Sequence, residues 1–482
     1  MPRLRILFVA SECVPFAKTG GLADVVGALP AALAERGHDV RVVIPRYRMT
    51  KKVPATRRPA PLEVQLGQRT SWGAVWETHL GRGSARIYLL EHDQLFDRDG
   101  VYGDRFGEFG DNLARFAFLS RGALSLCHEL GFVPDVVHAH DWPTCLAPVY
   151  LDTLEAHSSL ARTASVLTIH NLGYQGWFDK ERLPDTGLGW GSFHSRSLET
   201  YDRINLLKAG IFHSTLISTV SPTYAREIQA PGGGEGLDGA LRARAGDIIG
   251  VLNGIDDEVW NPANDPLISA NFTSSDLSGK AVCKATLQRD MGLAVRPDVP
   301  LIGVISRLVH QKGIDVFARA IPSILRLGAQ LVVLGSGDAA AEELFARLSH
   351  TTEGFRAVVG MNEKLAHRIE AGADLFLMPS RYEPCGLNQM YSQRYGTLPI
   401  VRAIGGLDDT VENDMTGFKF HELSAEAITQ ATAWAVSIYR ERPEHFRAMQ
   451  AHAMAKRLGW SHAARQYEAL YRMAVARRRG RI

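Results

Sequence analysis

Two cations five residues apart, Arg307 and Lys312, stand in Ser306-Arg307-Leu308-Val309-His310-Gln311-Lys312-Gly313, directly after an apolar run at 301–305 that reads as a strand. A planar guanidinium and a mobile ammonium at that spacing can converge on one phosphate group from opposite sides of a turn, although two solvated surface cations would look the same. A second polar turn, Pro379-Ser380-Arg381-Tyr382-Glu383-Pro384-Cys385-Gly386-Leu387, follows residues 374–378, a short run apolar enough for a buried parallel strand. Glu383 thus stands at the C-terminal end of a strand, where open α/β sheets bind ligands. Helical character resumes over 388–395, so the carboxylate is either a helix cap or a group aimed at a ligand. Fixed cations beside a carboxylate suit a reaction in which a phosphate leaving group departs without a metal.

Other strand ends carry similar turns. Behind the run at 5–10 lies Lys18-Thr19-Gly20-Gly21-Leu22-Ala23-Asp24-Val25. Paired glycines let a backbone approach a ligand and point its N–H groups inward, with Lys18 adding charge; a plain tight turn is the other reading. Gly405-Gly406-Leu407, after the run at 399–402, is its counterpart in the second half. His170-Asn171 closes the run at 165–169, as a core histidine satisfied by backbone or as a ligand-facing one. His138-Ala139-His140-Asp141-Trp142 has the look of metal ligands, but alternate strand residues face opposite sides, and no metal is expected. Asp97-Arg98-Asp99 lies in a polar stretch, 94–107, and reads as a solvated loop; Trp72, Trp76, Trp177 and Trp190 could line a path for a chain ligand, but scattered tryptophans are more often core, and that is the expectation.

The elements that must hold these turns alternate in type. Strands are predicted at 5–10, 39–44, 85–90, 135–139, 165–169 and 215–220, with helices at 25–36, 111–130 and 141–154 between them. The pattern recurs at 301–305, 330–334, 357–359, 374–378 and 399–402, and the chain reads as helical from 425 almost to its end. A chain of 482 residues exceeds one ordinary core, so two α/β domains of ordinary size are expected. The boundaries are a first domain at 1–249, a hinge at 250–260 and a second domain at 261–459, with a final helical segment at 460–482. Residues 49–70, rich in Lys, Arg and Pro, are expected to include a mobile surface loop, and the basic tail 477–481 a solvated end. Residues 231–239 hold closely spaced glycines but follow no strand, so a dinucleotide fingerprint is rejected there.

Charged residues make up 22% of the chain and the formal net charge is +2, which gives no reason to expect nucleic acid or an anionic membrane as partner. No apolar run approaches the roughly 20 residues that span a bilayer. Five scattered cysteines favour free thiols and a cytoplasmic location over a disulfide framework.

Ser380-Arg381-Tyr382-Glu383-Pro384-Cys385-Gly386-Leu387 and Lys18-Thr19-Gly20-Gly21-Leu22-Ala23-Asp24-Val25 together resemble the two signatures of bacterial glycogen synthases and plant starch synthases, with further matches along nearly the whole chain. The resemblance implies a retaining, metal-independent glucosyltransferase that needs no cofactor, of GT-B architecture: two Rossmann-like domains, a deep interdomain cleft and a last helix, 460–482, that returns to the N-terminal domain. ADP-glucose would be the donor and glycogen or another α-1,4-glucan the acceptor; a retaining enzyme of the same fold that uses UDP-glucose or another sugar donor or acceptor, and an inactive glucan-binding relative, are the rivals. It carries Arg307 and Lys312 to the diphosphate, His170 and Glu383 to the donor glucose, and counts those four as catalytic. Lys18, Gly20, Gly21, Asp24, Asp141, Asn253, Cys385, Gly386, Leu387, Gly405 and Gly406 it assigns to donor binding. Two departures stand out. Gly360-Met361-Asn362-Glu363 has methionine where the family has tyrosine near the base, and Ile404 replaces a threonine before Gly405-Gly406.

Overall fold

The computed structural model describes residues 2–80 and 85–480. Its contacts divide the chain into two units, Met1–Gly254 with Trp460–Ile482, and Ile255–Gly459.

The first unit is built on parallel strands in the order Ile248–Gly250, Leu216–Thr219, Ala164–Ile169, Val136–His140, Arg5–Val9, Asp39–Pro45 and Ala85–Glu91. Arg5–Val9 is the first of these in sequence, yet it is flanked by both Asp39–Pro45 and Val136–His140. The chain therefore builds outward from one strand in two directions, and the switch point falls between Arg5–Val9 and Val136–His140. Residues Ile6, Phe8, Val40, Val42 and Ile44 project from one sheet face into a core completed by Leu22, Val25, Val26, Leu29 and Leu33 of the helix Gly21–Glu35. The final helix, Trp460–Arg478, adds Tyr467, Leu470, Tyr471 and Ala474 to that same core.

Three expectations change here. The helix starts at Gly21 rather than at residue 25, because Leu22, Val25, Val26 and Leu29 already fall on one buried face. Residues 49–70 hold a strand, Leu62–Leu66, that pairs antiparallel with Arg69–Leu80 across a turn in which Gly67 has φ +64°. The inward Leu62 and Val64 alternate with exposed Glu63 and Gln65, a two-residue period that basic and proline-rich flanks had obscured. The basic tail is also tied down: Arg477 pairs with Asp247, Arg478 with Asp152 at 3.3 Å and Arg479 with Asp135 at 2.7 Å.

The second unit is a parallel sheet in the order Phe355–Val359, Gln330–Gly335, Leu301–Ile305, Leu375–Met378, Leu398–Arg402, Phe418–Phe420. The pleat sorts its strands between two cores: Ile302, Val304, Leu331, Val333, Leu375 and Leu377 enter one, while Leu301, Val332, Leu334, Phe376 and Met378 enter the other. Leu301–Ile305 again comes first in sequence and lies between two neighbours, Gln330–Gly335 and Leu375–Met378. The switch point of this sheet is therefore the gap between Leu301–Ile305 and Leu375–Met378. The turns leaving those two strands carry Arg307 with Lys312, and Glu383.

Candidate active site

In the second unit the two turns meet. Lys312 Nζ lies 2.5 Å from Glu383 Oε2, and Ser380 Oγ donates to the same oxygen at 2.9 Å. Glu383 is only 5% exposed, so both bonds serve to hold a desolvated carboxylate in place. The following helix begins at Asn388, five residues on, so Glu383 is not in its first turn and the helix-cap reading falls away. Arg307 is exposed and its guanidinium donates to Gln311 Oε1 at 3.0 Å. Of the two cations, one is thus tethered loosely at the surface and the other is paired to a buried carboxylate.

Gly405 and Gly406 do something other than expected. Gly406 N–H donates to the carbonyls of Glu383 at 3.1 Å and Pro384 at 3.2 Å, so this amide is spent inside the fold rather than on a phosphate. A Cβ at Gly405, whose φ is +43°, would stand 2.0 Å from the Glu383 carbonyl oxygen, and one at Gly406 2.1 Å from that of Cys385. The glycines let the two turns touch; their contribution to the site is to fix Glu383 from behind. Cys385 is buried in the same turn, and Gly386, at φ +70°, and Leu387 lead from it into the helix.

In the first unit two strand ends carry the expected residues in separate pairs, Lys18 with Asp24 and Asp141 with His170. Lys18 Nζ pairs with Asp24 Oδ1 at 2.7 Å, and both remain accessible. At Gly20 and Gly21 an added Cβ would meet nothing within 4 Å, and neither residue has positive φ. Neither backbone conformation nor internal packing demands glycine there, as expected of a surface kept clear for something outside the chain. Gly20 N–H, however, already donates to Glu12 Oε2 at 3.2 Å. Glu12, 2% exposed, also accepts from the amide of Thr19, from Thr19 Oγ1 at 2.7 Å and from Tyr102 OH at 2.6 Å. The glycine loop thus wraps a carboxylate of its own, and Gly20 is not a free anion donor. Glu12 and Tyr102 escaped the sequence reading; the position of Glu12 just past the first strand was the available signal.

His170 follows its strand with 9% exposure, and burial lowers its pKa to about 3. His138 and His140, also buried, are driven well below the ordinary histidine value by desolvation, and each feels the neighbouring rings. The trio is therefore neutral. His140 Nδ1 lies 3.0 Å from His170 Nε2, while His140 Nε2 is buried without a partner. An orphaned lone pair costs less than an orphaned N–H, so His140 is the donor in this pair. His170 then accepts at Nε2 and carries its proton on Nδ1, ready to donate to a hydroxyl. His138 is spoken for by Thr168 Oγ1 at 2.5 Å and Tyr471 OH at 2.8 Å.

Asp141 orients His170 through the backbone. Its Oδ1 accepts from the amides of His170 at 2.7 Å and Asn171 at 3.4 Å. Burial raises the carboxyl to about 7 against those bonds, and the backbone stands at φ +55°, ψ −176°, a region that costs a non-glycine residue of order 1–3 kcal/mol. Buried Asn253 leaves its Oδ1 without a partner. Among the described residues no group of three or more His, Cys, Asp or Glu is arranged to hold a metal ion. Asp97 and Asp99 pair with Arg48, and Asp97 also with Lys51, in a surface network. Trp72, Trp177 and Trp190, expected in the core, are exposed by 56%, 37% and 58%; Trp76 alone of the four fits the expectation better, half-buried under Arg46. Met361 is 94% exposed.

Known proteins resemble this chain along nearly its whole length. Residues 5–243 match the family described as the starch synthase catalytic domain, and residues 292–450 match glycosyl transferases group 1. Glycogen synthase 1 of Geobacter sulfurreducens is 49% identical, the alignment covering 100% of this chain and 98% of that one. Glycogen synthase of Anaeromyxobacter dehalogenans is 50% identical over 97% of this chain and 99% of its own. The solved catalytic domain of starch synthase IV from Arabidopsis thaliana, bound to ADP and acarbose, superposes with a TM-score of 0.90 at 33% identity, over 98% of this chain and 100% of that one.

Proposed function

The chain belongs to the glycogen synthase family of GT-B glycosyltransferases, and we propose that it transfers glucose from ADP-glucose to the non-reducing end of an α-1,4-glucan, with retention at the anomeric carbon. The observation that carries this reading is the meeting of Lys312 and Glu383 at the switch point of the second sheet, with Arg307 beside them. In this reading Arg307 and Lys312 bind the diphosphate and absorb the charge that develops as the bond from anomeric carbon to phosphate oxygen breaks. The acceptor hydroxyl adds to the same face of the sugar, and its proton passes to the departing phosphate. Glu383 contributes negative charge near the oxocarbenium-like carbon and accepts from donor hydroxyls; its single available oxygen, with Oε2 doubly engaged, suits this better than nucleophilic attack.

Lys18 adds a third cation once it leaves Asp24, and His170 donates from Nδ1 to a glucose hydroxyl. Asp24 and Asn253 belong on the nucleotide side, and Asp141 sets the orientation of His170. The segment 250–260 serves as the hinge between domains. Five buried cysteines, none of them in a disulfide, support a reducing, cytoplasmic setting, and no helix among the described residues is long and apolar enough to cross a membrane.

The test is incorporation of labelled glucose into a glycogen primer from ADP-glucose or UDP-glucose, with EDTA present. Incorporation from ADP-glucose in EDTA supports the reading. Incorporation only from UDP-glucose would move the donor to the UDP-sugar rival, for which the exposed Met361, in place of a tyrosine platform, leaves room. No turnover from either donor would move the test to other sugar nucleotides, and glucan binding with no turnover from any of them would favour the binding-protein rival.

A further inference from the structure

The two turns that bring Lys312 to Glu383 are joined by a side chain outside the residues assigned so far. Arg381 stands two residues before Glu383. Its Nη1 and Nη2 clasp Asp315 Oδ1 at 2.5 Å and Oδ2 at 2.8 Å, and Nη1 also donates to the His310 carbonyl at 2.8 Å. Its own amide donates to the Gln311 carbonyl at 2.8 Å, and its carbonyl accepts from Arg402 Nη1 at 2.7 Å. His310 and Gln311 share the short 3-10 turn of Lys312, and Asp315 opens the helix behind it. At the same crossing Gly313, at φ +68°, comes so near the other turn that a Cβ would stand 1.9 Å from the Pro379 carbonyl oxygen. Gln311 Nε2 also donates to the Tyr382 carbonyl at 3.4 Å, so the two turns are tied at several points, of which the Arg381–Asp315 clasp is the one held by two charged side chains.

We propose that Arg381 and Asp315 are a positioning pair: a strut that sets the turn of Lys312 against the turn of Glu383, so that ammonium and carboxylate stand at the spacing the transfer needs. The inference rests on the proposed glucosyl transfer. A purely stabilising role fits the exposure poorly, since the Asp315 side chain is 50% exposed and pairs so open to water contribute little to global stability. The geometry is instead that of a planar fork held at both carboxylate oxygens, which fixes orientation and which lysine cannot reproduce. The hydrogen bond from Arg381 holds the Asp315 carboxyl down to about 2, so the clasp stays charged throughout the working pH range.

The experiment compares Asp315→Asn, Arg381→Lys, their double variant and Asp315→Glu with the unaltered protein. It reads kcat and donor KM on glycogen, melting temperature, and hydrogen exchange of amides in 306–313 and 379–386. Misplacement by an ångström costs about a hundredfold in rate, so the two single variants are expected to lose about tenfold to a hundredfold in kcat. Donor KM should move less than threefold, melting should change little, and exchange should quicken in both segments together. The double variant should be no worse than either single one, and Asp315→Glu should recover most of the rate. A kcat within twofold of the unaltered protein, a loss of rate that merely follows a fall in melting temperature, or unchanged exchange would overturn the strut. Absence of turnover in the unaltered protein would instead count against the transferase reading, and the exchange data would still decide the strut.

Discussion

Lys312 Nζ and Ser380 Oγ converge on one oxygen of Glu383, from turns that leave two adjacent parallel strands. The resting site thus holds its cation and its carboxylate against each other. A phosphate arriving at Lys312 must compete with Glu383, and once the lysine shifts, the carboxylate is left with less compensation and a stronger demand for positive charge. That charge is what the anomeric carbon acquires as the leaving group departs.

Removing either member should therefore be costly for rate. Lys312→Ala and Glu383→Ala are each expected to lose about two to three powers of ten in kcat, the size found for a single charge-stabilising group. Glu383→Gln, which can still accept from Ser380, should lose nearly as much, because charge rather than hydrogen bonding is at stake. Steady-state kinetics on glycogen, with melting curves as a control for folding, would show this. Turnover in Glu383→Gln close to that of the unaltered chain would mean the carboxylate only fills space.

A neutral His170 makes a prediction about pH. With its pKa lowered to about 3 by burial, it does not titrate between pH 5.5 and 8 and should contribute no limb to the rate profile there. His170→Ala is expected to lower kcat by about tenfold to a hundredfold at every pH in that range, leaving the shape of the curve intact. An acid limb near the ordinary histidine value that vanishes in the variant would contradict the neutral donor.

Asp141 predicts an opposite dependence, in stability. Its carboxyl is raised from 3.8 to about 7 by burial. Between those values the folded chain keeps a proton that the unfolded chain has released, so this group's contribution declines as pH rises and its cost is complete above about 7. Asp141→Asn keeps an acceptor for the His170 amide, tolerates the positive φ and carries no charge. Its stability relative to the unaltered chain should improve by roughly 2–4 kcal/mol between pH 4 and pH 8. Denaturant titrations at both values would test it, and a difference that does not vary with pH would rule it out.

Glu468 on the final helix runs the other way. Hydrogen bonds from Arg472 and Arg36 hold its carboxyl down to about 2 against the cost of burial. A lowered carboxyl stabilises the fold fully above its ordinary range, near 4.5, and loses that contribution as pH falls through about 2. Glu468→Gln should thus cost roughly 1–3 kcal/mol at pH 7, with the gap narrowing below pH 4. Thermal melts across pH 2.5–7 would measure this; a gap that stays constant would remove the ion pairs from the account.

Much of this was open to inspection in the chain itself. Buried parallel strands such as Leu301–Ile305 and Leu375–Met378 announce themselves as short apolar runs, because both faces of such a strand lie against helices. The turns behind them must be polar, so Arg307, Lys312 and Glu383 stood out as soon as the strands were marked. What the chain could not disclose was how those groups spend their hydrogen bonds. Gly406 turned out to donate to the backbone of Glu383, and Gly20 to the side chain of Glu12. The pairing of Arg381 with Asp315, 66 positions apart, likewise exists only because two loops leave neighbouring strands on the same side of the sheet. Local sequence decides strand, turn and helix through short-range sterics and hydrophobic period. Which donor meets which acceptor, and which carboxyl loses its water, depends on distances between residues far apart in the chain, and only the folded backbone sets those.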